Sequence, residues 1–134
     1  ALLNAFACRG VVGTHLGRLS TPDRVAQIAD FLMTYQKARW AIVTGRYQGR
    51  LHISLRTNDP DGRAGRLLKR LLGGGNRGGG HGMIAVGSLE VGLEASEEKW
   101  AQAEENVAAS FLESQDITDS SLRTQPFLEN SAEV

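Results

Sequence analysis

The sequence predicts an α/β fold, a single domain with a mixed β-sheet of about four to five strands flanked by helices. Three observations carry this. Short apolar or alternating runs take turns with amphipathic helical stretches along the chain. Two of those runs are separated only by a tight polar turn, so they must lie antiparallel. A chain of 134 residues suffices for one core and hardly for two.

Taken in order, Val11, Val12 and Leu16 stand between Gly10, Gly13 and Gly17, which suits a first strand weakened by glycine at a sheet edge. Thr21, Pro22 and Asp23 make a helix start: a capping hydroxyl, a proline at the first helical position and an acid on the positive end of the dipole. Val25, Ile28, Ala29 and Leu32 then recur at helical spacing, and the helix is expected to run to about Gln36. Trp40, Ala41, Ile42 and Val43 read as a central strand. Tyr47, Gln48 and Gly49 turn the chain, and Leu51, Ile53 and Leu55 alternate with His52, Ser54 and Arg56 in the returning strand.

Residues 58–62 form a loop, and residues 63–72 a helix whose apolar face is Ala64, Leu67, Leu68, Leu71 and Leu72. Arg63, Arg66, Lys69 and Arg70 on its other faces read as solvated surface. Residues 83–91 resemble another strand. Ser96 caps a last helix with Glu97 and Glu98 in its first turn and with Trp100, Ala103, Val107 and Phe111 on one face.

Formal net charge is zero, so no global pull on nucleic acid or membrane is expected, although the cations gather in the first part of the chain and the acids in the last. One cysteine, Cys8, excludes an internal disulfide and a cysteine-based zinc site and fits a reducing, cytoplasmic setting. No apolar run reaches membrane-spanning length.

Seven of the ten residues 73–82 are glycine, with Arg77 and His81 among them. Glycine at that density is costly in backbone entropy, and it belongs where the chain must turn sharply or approach a ligand closely. Bare N–H groups beside a cation make an anion cradle. The three histidines, His15, His52 and His81, do not sit at metal-ligand spacing, the lysine of a P-loop is missing, and Ser54 and Ser88 lack partners that would make a nucleophile. What remains is a binding constellation. Arg56 stands at a strand end with a fork suited to phosphate, Thr57 and Asn58 add a hydroxyl and an amide, and Gly78, Gly79, Gly80 and His81 close the glycine stretch.

Three segments together, Ser54-Leu55-Arg56-Thr57, Ala64-Gly65 and Gly78-Gly79-Gly80-His81-Gly82-Met83-Ile84-Ala85-Val86-Gly87, resemble the DHH-associated C-terminal domain of DHH-family phosphoesterases. That superfamily includes RecJ-type exonucleases, nano-RNases, cyclic-dinucleotide phosphodiesterases and exopolyphosphatase-related proteins. The resemblance spans residues 9–93. It implies a substrate-binding domain in which Arg56, Gly79, Gly80 and His81 hold the phosphate of a nucleotide or a short single-stranded RNA or DNA.

The divalent metals of such enzymes, typically manganese, belong to an N-terminal domain with an Asp-His-His motif that this chain lacks. The resemblance therefore implies no catalytic residue, metal or cofactor in the chain itself, and a DHH domain as its partner. It leaves a homodimer open. Val86 departs from the small residue usual at its position. On this reading residues 1–8 end a linker helix from the preceding domain, residues 9–114 form the substrate-binding domain, and residues 115–134 form a polar tail. The alternatives are the tRNA-binding or dimerisation domain of alanyl-tRNA synthetases, whose glycine motif typically lacks the histidine, and a stand-alone regulatory module.

Overall fold

The computed structural model describes residues 5–73, 77–80 and 82–117. The elements run β1 (Phe6–Cys8), β2 (Val11–Arg18), α1 (Arg24–Leu32), β3 (Trp40–Tyr47), β4 (Arg50–Thr57), α2 (Ala64–Leu72), β5 (Arg77–Gly80), β6 (Ile84–Glu90) and α3 (Glu97–Ser114). The six strands form one sheet in the order β1-β2-β3-β4-β6-β5. Only β2 and β3 run parallel, joined through α1, and the other pairs are antiparallel, so the sheet is mixed as expected.

Two strands that no sequence run marked lie at the two edges. The segment expected to end a linker helix is corrected at Phe6, Ala7 and Cys8, which pair antiparallel with Gly13, Val12 and Val11. Three residues are too short to show a period, and the turn that sets them, Arg9 at φ 47° and Gly10 at φ 86°, is a two-residue hairpin turn written without its commonest Asn-Gly form. At the far edge, Arg77, Gly78, Gly79 and Gly80 pair with Ser88, Gly87, Val86 and Ala85. Glycine has no strand propensity to display, so this part of the expected loop is an edge strand whose pairing is supplied by β6.

The sheet is covered on both faces. Val11, Ile42, Leu51, Ile53, Leu55 and Ala85 face α2 and α3, where Leu68, Leu72, Val107, Phe111 and Leu112 complete the larger core. On the other face Val12, Ala41 and Val43 meet Val25, Ala29 and Leu32 of α1. The alternation in β4 follows from this, with leucine and isoleucine on one side and His52, Ser54 and Arg56 on the side of α1.

Two helix ends differ from expectation. α1 begins at Arg24 with Asp23 as an N-cap that makes no side-chain bond, and it stops at Leu32, after which the chain turns. The Thr21 carbonyl and the Pro22 carbonyl accept from Arg24 and Val25 in a preceding turn, so the Thr-Pro pair starts a turn and not the helix itself. α3 starts as expected, with the Ser96 hydroxyl accepting from the Lys99 amide at 3.1 Å.

α3 is tied to the sheet by a charge network. Arg46 at the end of β3 donates through Nε and Nη2 to Glu104 (2.9 and 2.8 Å) and through Nη1 to Glu97 (2.6 Å), with its guanidinium 5.5 Å from the Trp100 ring centre. Hydrogen bonding to Arg46 holds the Glu97 carboxyl below the usual carboxylate range.

His52 carries a second electrostatic signature. Burial, followed by the nearby Arg50 charge, pushes its imidazole below the ordinary value. The unfolded chain then binds a proton that the fold refuses, so stability should decline as pH falls through the ordinary imidazole range and recover above it. Urea midpoints measured on either side of that range should show the decline, and His52→Gln should flatten it. An undiminished slope in the variant would assign the dependence elsewhere.

Candidate phosphate site

The site begins with the end of β4. Arg56 lies on the α1 side of the sheet, in register with Ala41 of β3 and Ile84 of β6. Its side chain is 12% exposed, and its Nε donates to Asp30 of α1 at 2.8 Å. Its Nη1 is buried without a hydrogen-bond partner among the described residues. A charged donor out of water with no acceptor is costly. Asp30 therefore fixes one edge of the guanidinium, and Nη1 is left without an acceptor among the described residues.

Thr57 and Asn58 are engaged within the chain. The Thr57 hydroxyl donates to the Arg39 carbonyl at 2.9 Å and accepts from the Asp59 amide at 3.2 Å. The Asn58 side-chain amide donates to the Ala38 carbonyl at 3.1 Å. These bonds lock the strand end to the turn before β3, which places both side chains in support of Arg56.

The glycine segment returns to the same end of the sheet. The Thr57 amide donates to the Met83 carbonyl and the Ala64 amide to the Gly82 carbonyl, both at 3.0 Å. A Cβ on Gly82 would lie 2.7 Å from the Pro60 carbonyl oxygen, so only glycine fits that approach. Gly78, Gly79 and Gly80 belong to the edge strand β5, which leaves one row of its backbone groups unpaired by the sheet. His81 lies outside the described residues, between Gly80 and Gly82.

The face around Arg56 is incompletely covered. α1 spans β2, β3 and β4. Beyond it Ile84 is 38% and Val86 50% exposed, with Phe31 of α1 at 47%. Val86 stands in register with both Gly79 and Ser54, and the Ser54 hydroxyl is buried without a partner among the described residues. No sequence pattern pointed to Asp30, which lies 26 positions before Arg56. Among the described residues no three His, Cys, Asp or Glu side chains gather as a metal site. Nor is any helix among them long and apolar enough to cross a membrane.

No family model matches the chain. A protein of Methanocaldococcus jannaschii, MJ1633, itself uncharacterized, is 30% identical over 118 residues, covering 84% of this chain, and the chain spans 24% of that protein's length. Among solved structures, the C-Ala domain of Aquifex aeolicus alanyl-tRNA synthetase superposes with a TM-score of 0.52 at 14% identity, over 78% of this chain and 97% of the domain. An exopolyphosphatase-related protein from Bacteroides fragilis superposes with a TM-score of 0.53 at 12% identity, over 90% of this chain and 31% of that protein. Likenesses at this level of identity establish architecture. In fold, the chain shares the architecture of the C-Ala domain and of part of the exopolyphosphatase-related protein.

Proposed function

We propose that the chain is the substrate-holding domain of a metal-dependent DHH phosphoesterase, and that it binds a phosphate of a nucleotide or short single-stranded nucleic acid. The observation that carries this reading is the Arg56 guanidinium, held by Asp30 on one edge and unpartnered at a buried Nη1. A phosphate oxygen there would satisfy the orphaned donor through a charge-assisted hydrogen bond. Backbone groups of Gly79 and Gly80 on the open edge of β5 and the imidazole of His81 would complete the cradle. Hydrolysis would require manganese or a similar divalent metal held by a preceding DHH domain.

The C-Ala likeness, which covers almost the whole of that domain, supports a second reading as a tRNA-binding or dimerisation module. His81, atypical of that glycine motif, favours the first.

With one wall of a cleft, affinity for a nucleoside monophosphate should be weak, on the order of high micromolar to millimolar. An NMR titration should move the amides of Gly79, Gly80 and Arg56. Arg56→Ala should weaken binding by about tenfold, the value of one charge-assisted bond. Arg56→Lys should recover only part, because a point charge lacks the fork. Shifts confined to α3, with Arg56 and the glycines unmoved at millimolar ligand, would end this reading.

A further inference from the structure

We infer that α2 is a backbone track for a nucleic-acid strand, carrying the phosphates that follow the one held at Arg56. Arg63, Arg66, Lys69 and Arg70 are all exposed. None makes an ion pair or side-chain hydrogen bond among the described residues. Arg66, Lys69 and Arg70 fall at i, i+3 and i+4 and therefore share one helix face, with Arg63 one turn earlier. The buried face of Ala64, Leu68 and Leu72 lies opposite. From Arg63 to Arg70 the helix advances about 10 Å, enough to meet more than one phosphate of a single strand.

A solvated surface does not account for this arrangement. Lys69 and Arg70 in the last turn suit the helix dipole, but Arg63 occupies the opposite end, where a cation is disfavoured and where the first turn holds no acid. Arg63 is also the N-cap, held at φ 56° in the left-handed region with no capping bond. A bulky cation kept at a position that suits glycine, on the unfavourable end of a helix, is a local cost with no return among the described residues. The nearest acids in sequence are Asp59 and Asp61, and the Asp59 carboxylate is engaged by the Asp61 amide at 2.9 Å.

The head of α2 lies at the same end of the sheet as the phosphate site, but on the opposite face from the Arg56 side chain, so a strand joining the two passes round that end. The Ala64 amide bonds the Gly82 carbonyl, and a Cβ on Gly62 would strike the Thr57 methyl, so the head of α2 packs against the end of β4 that bears Arg56. A membrane surface is disfavoured, since a helix lying in lipid exposes apolar side chains beside its cations, whereas Leu67 and Leu71 pack against the core. Three of the four cations are arginine, the better fit to phosphate oxygens. A ligand that uses both surfaces has more than one nucleotide. This extension rests on the phosphate-holding reading proposed above.

The test compares thymidine monophosphate, followed by NMR, with an oligothymidylate of about 12 nucleotides, followed by fluorescence anisotropy across a salt series. The triple variant Arg66→Gln, Lys69→Gln, Arg70→Gln should bind the oligonucleotide on the order of tenfold or more weakly, and the slope of log K against log salt should become shallower by about 2. Its binding of the monophosphate should not change. Arg63→Gly should raise the melting temperature by relieving the left-handed strain, and still weaken the oligonucleotide, which separates the track from any folding defect. A triple variant that binds the oligonucleotide with wild-type affinity and slope overturns the inference. So does a chain that ignores the oligonucleotide and binds phosphatidylserine vesicles through these cations. If Arg56→Ala leaves monophosphate binding intact while the triple variant still loses the oligonucleotide, the cradle fails and the track stands.

Discussion

Phe111→Ala is expected to cost about 3–5 kcal/mol, the range for deleting a buried aromatic ring. Phe111 is fully buried in the larger core and meets Trp40 edge-to-face, with ring centres 5.4 Å apart. Among the described residues it is the largest of the fully buried side chains, and it joins α3 to the head of β3. The loss is a large share of the roughly 5–15 kcal/mol that holds a domain together. Urea unfolding followed by circular dichroism should show the midpoint fall with little change in slope, and Phe111→Leu should recover most of it. A loss below about 1 kcal/mol would mean that α3 does not close the core as described.

The packing elements were legible because their periods are strong. The returning strand reads Leu51, Ile53 and Leu55 on alternate positions, and all three are fully buried. α2 was legible for the same reason, as Ala64, Leu68 and Leu72 follow the helical repeat. The edges were not legible. β1 is three residues long, and β5 is arginine followed by three glycines, so in neither case does local propensity compete with what the neighbouring strand imposes.

Of the site, Arg56 was identified by its place at a strand end, whereas the partner that orients it was not, since Asp30 reaches it only through the packing of α1 on β4. Thr57 and Asn58 carry polar groups that look available in a sequence. The fold uses them on Arg39 and Ala38 instead, satisfying two carbonyls of the turn before β3. The cations of α2 pose the opposite case: a sequence shows four charges, and only the fold shows that nothing among the described residues neutralises them.

Glu104→Ala is expected to cost about 3 kcal/mol, toward the lower end of the penalty for breaking a buried charge pair. Glu104 could have been noticed in the sequence, because it falls four residues after Trp100 and three before Val107, on the apolar stripe of α3. Its side chain is 9% exposed and accepts two bonds from Arg46, whose own side chain is 16% exposed. Removing it leaves that guanidinium with Glu97 alone, a partner whose side chain is 78% exposed and whose bond water screens.

The attraction itself does not set the cost, which comes from the desolvated cation left behind. The double variant Arg46→Met, Glu104→Leu should therefore recover most of the stability that Glu104→Ala loses, since neither charge is then buried. Arg46→Met alone should be costly too, by stranding Glu104. A double-mutant cycle on urea midpoints reads this directly. Single losses that simply add in the double variant would show that the two side chains act independently, and that α3 is held to β3 by its apolar face alone.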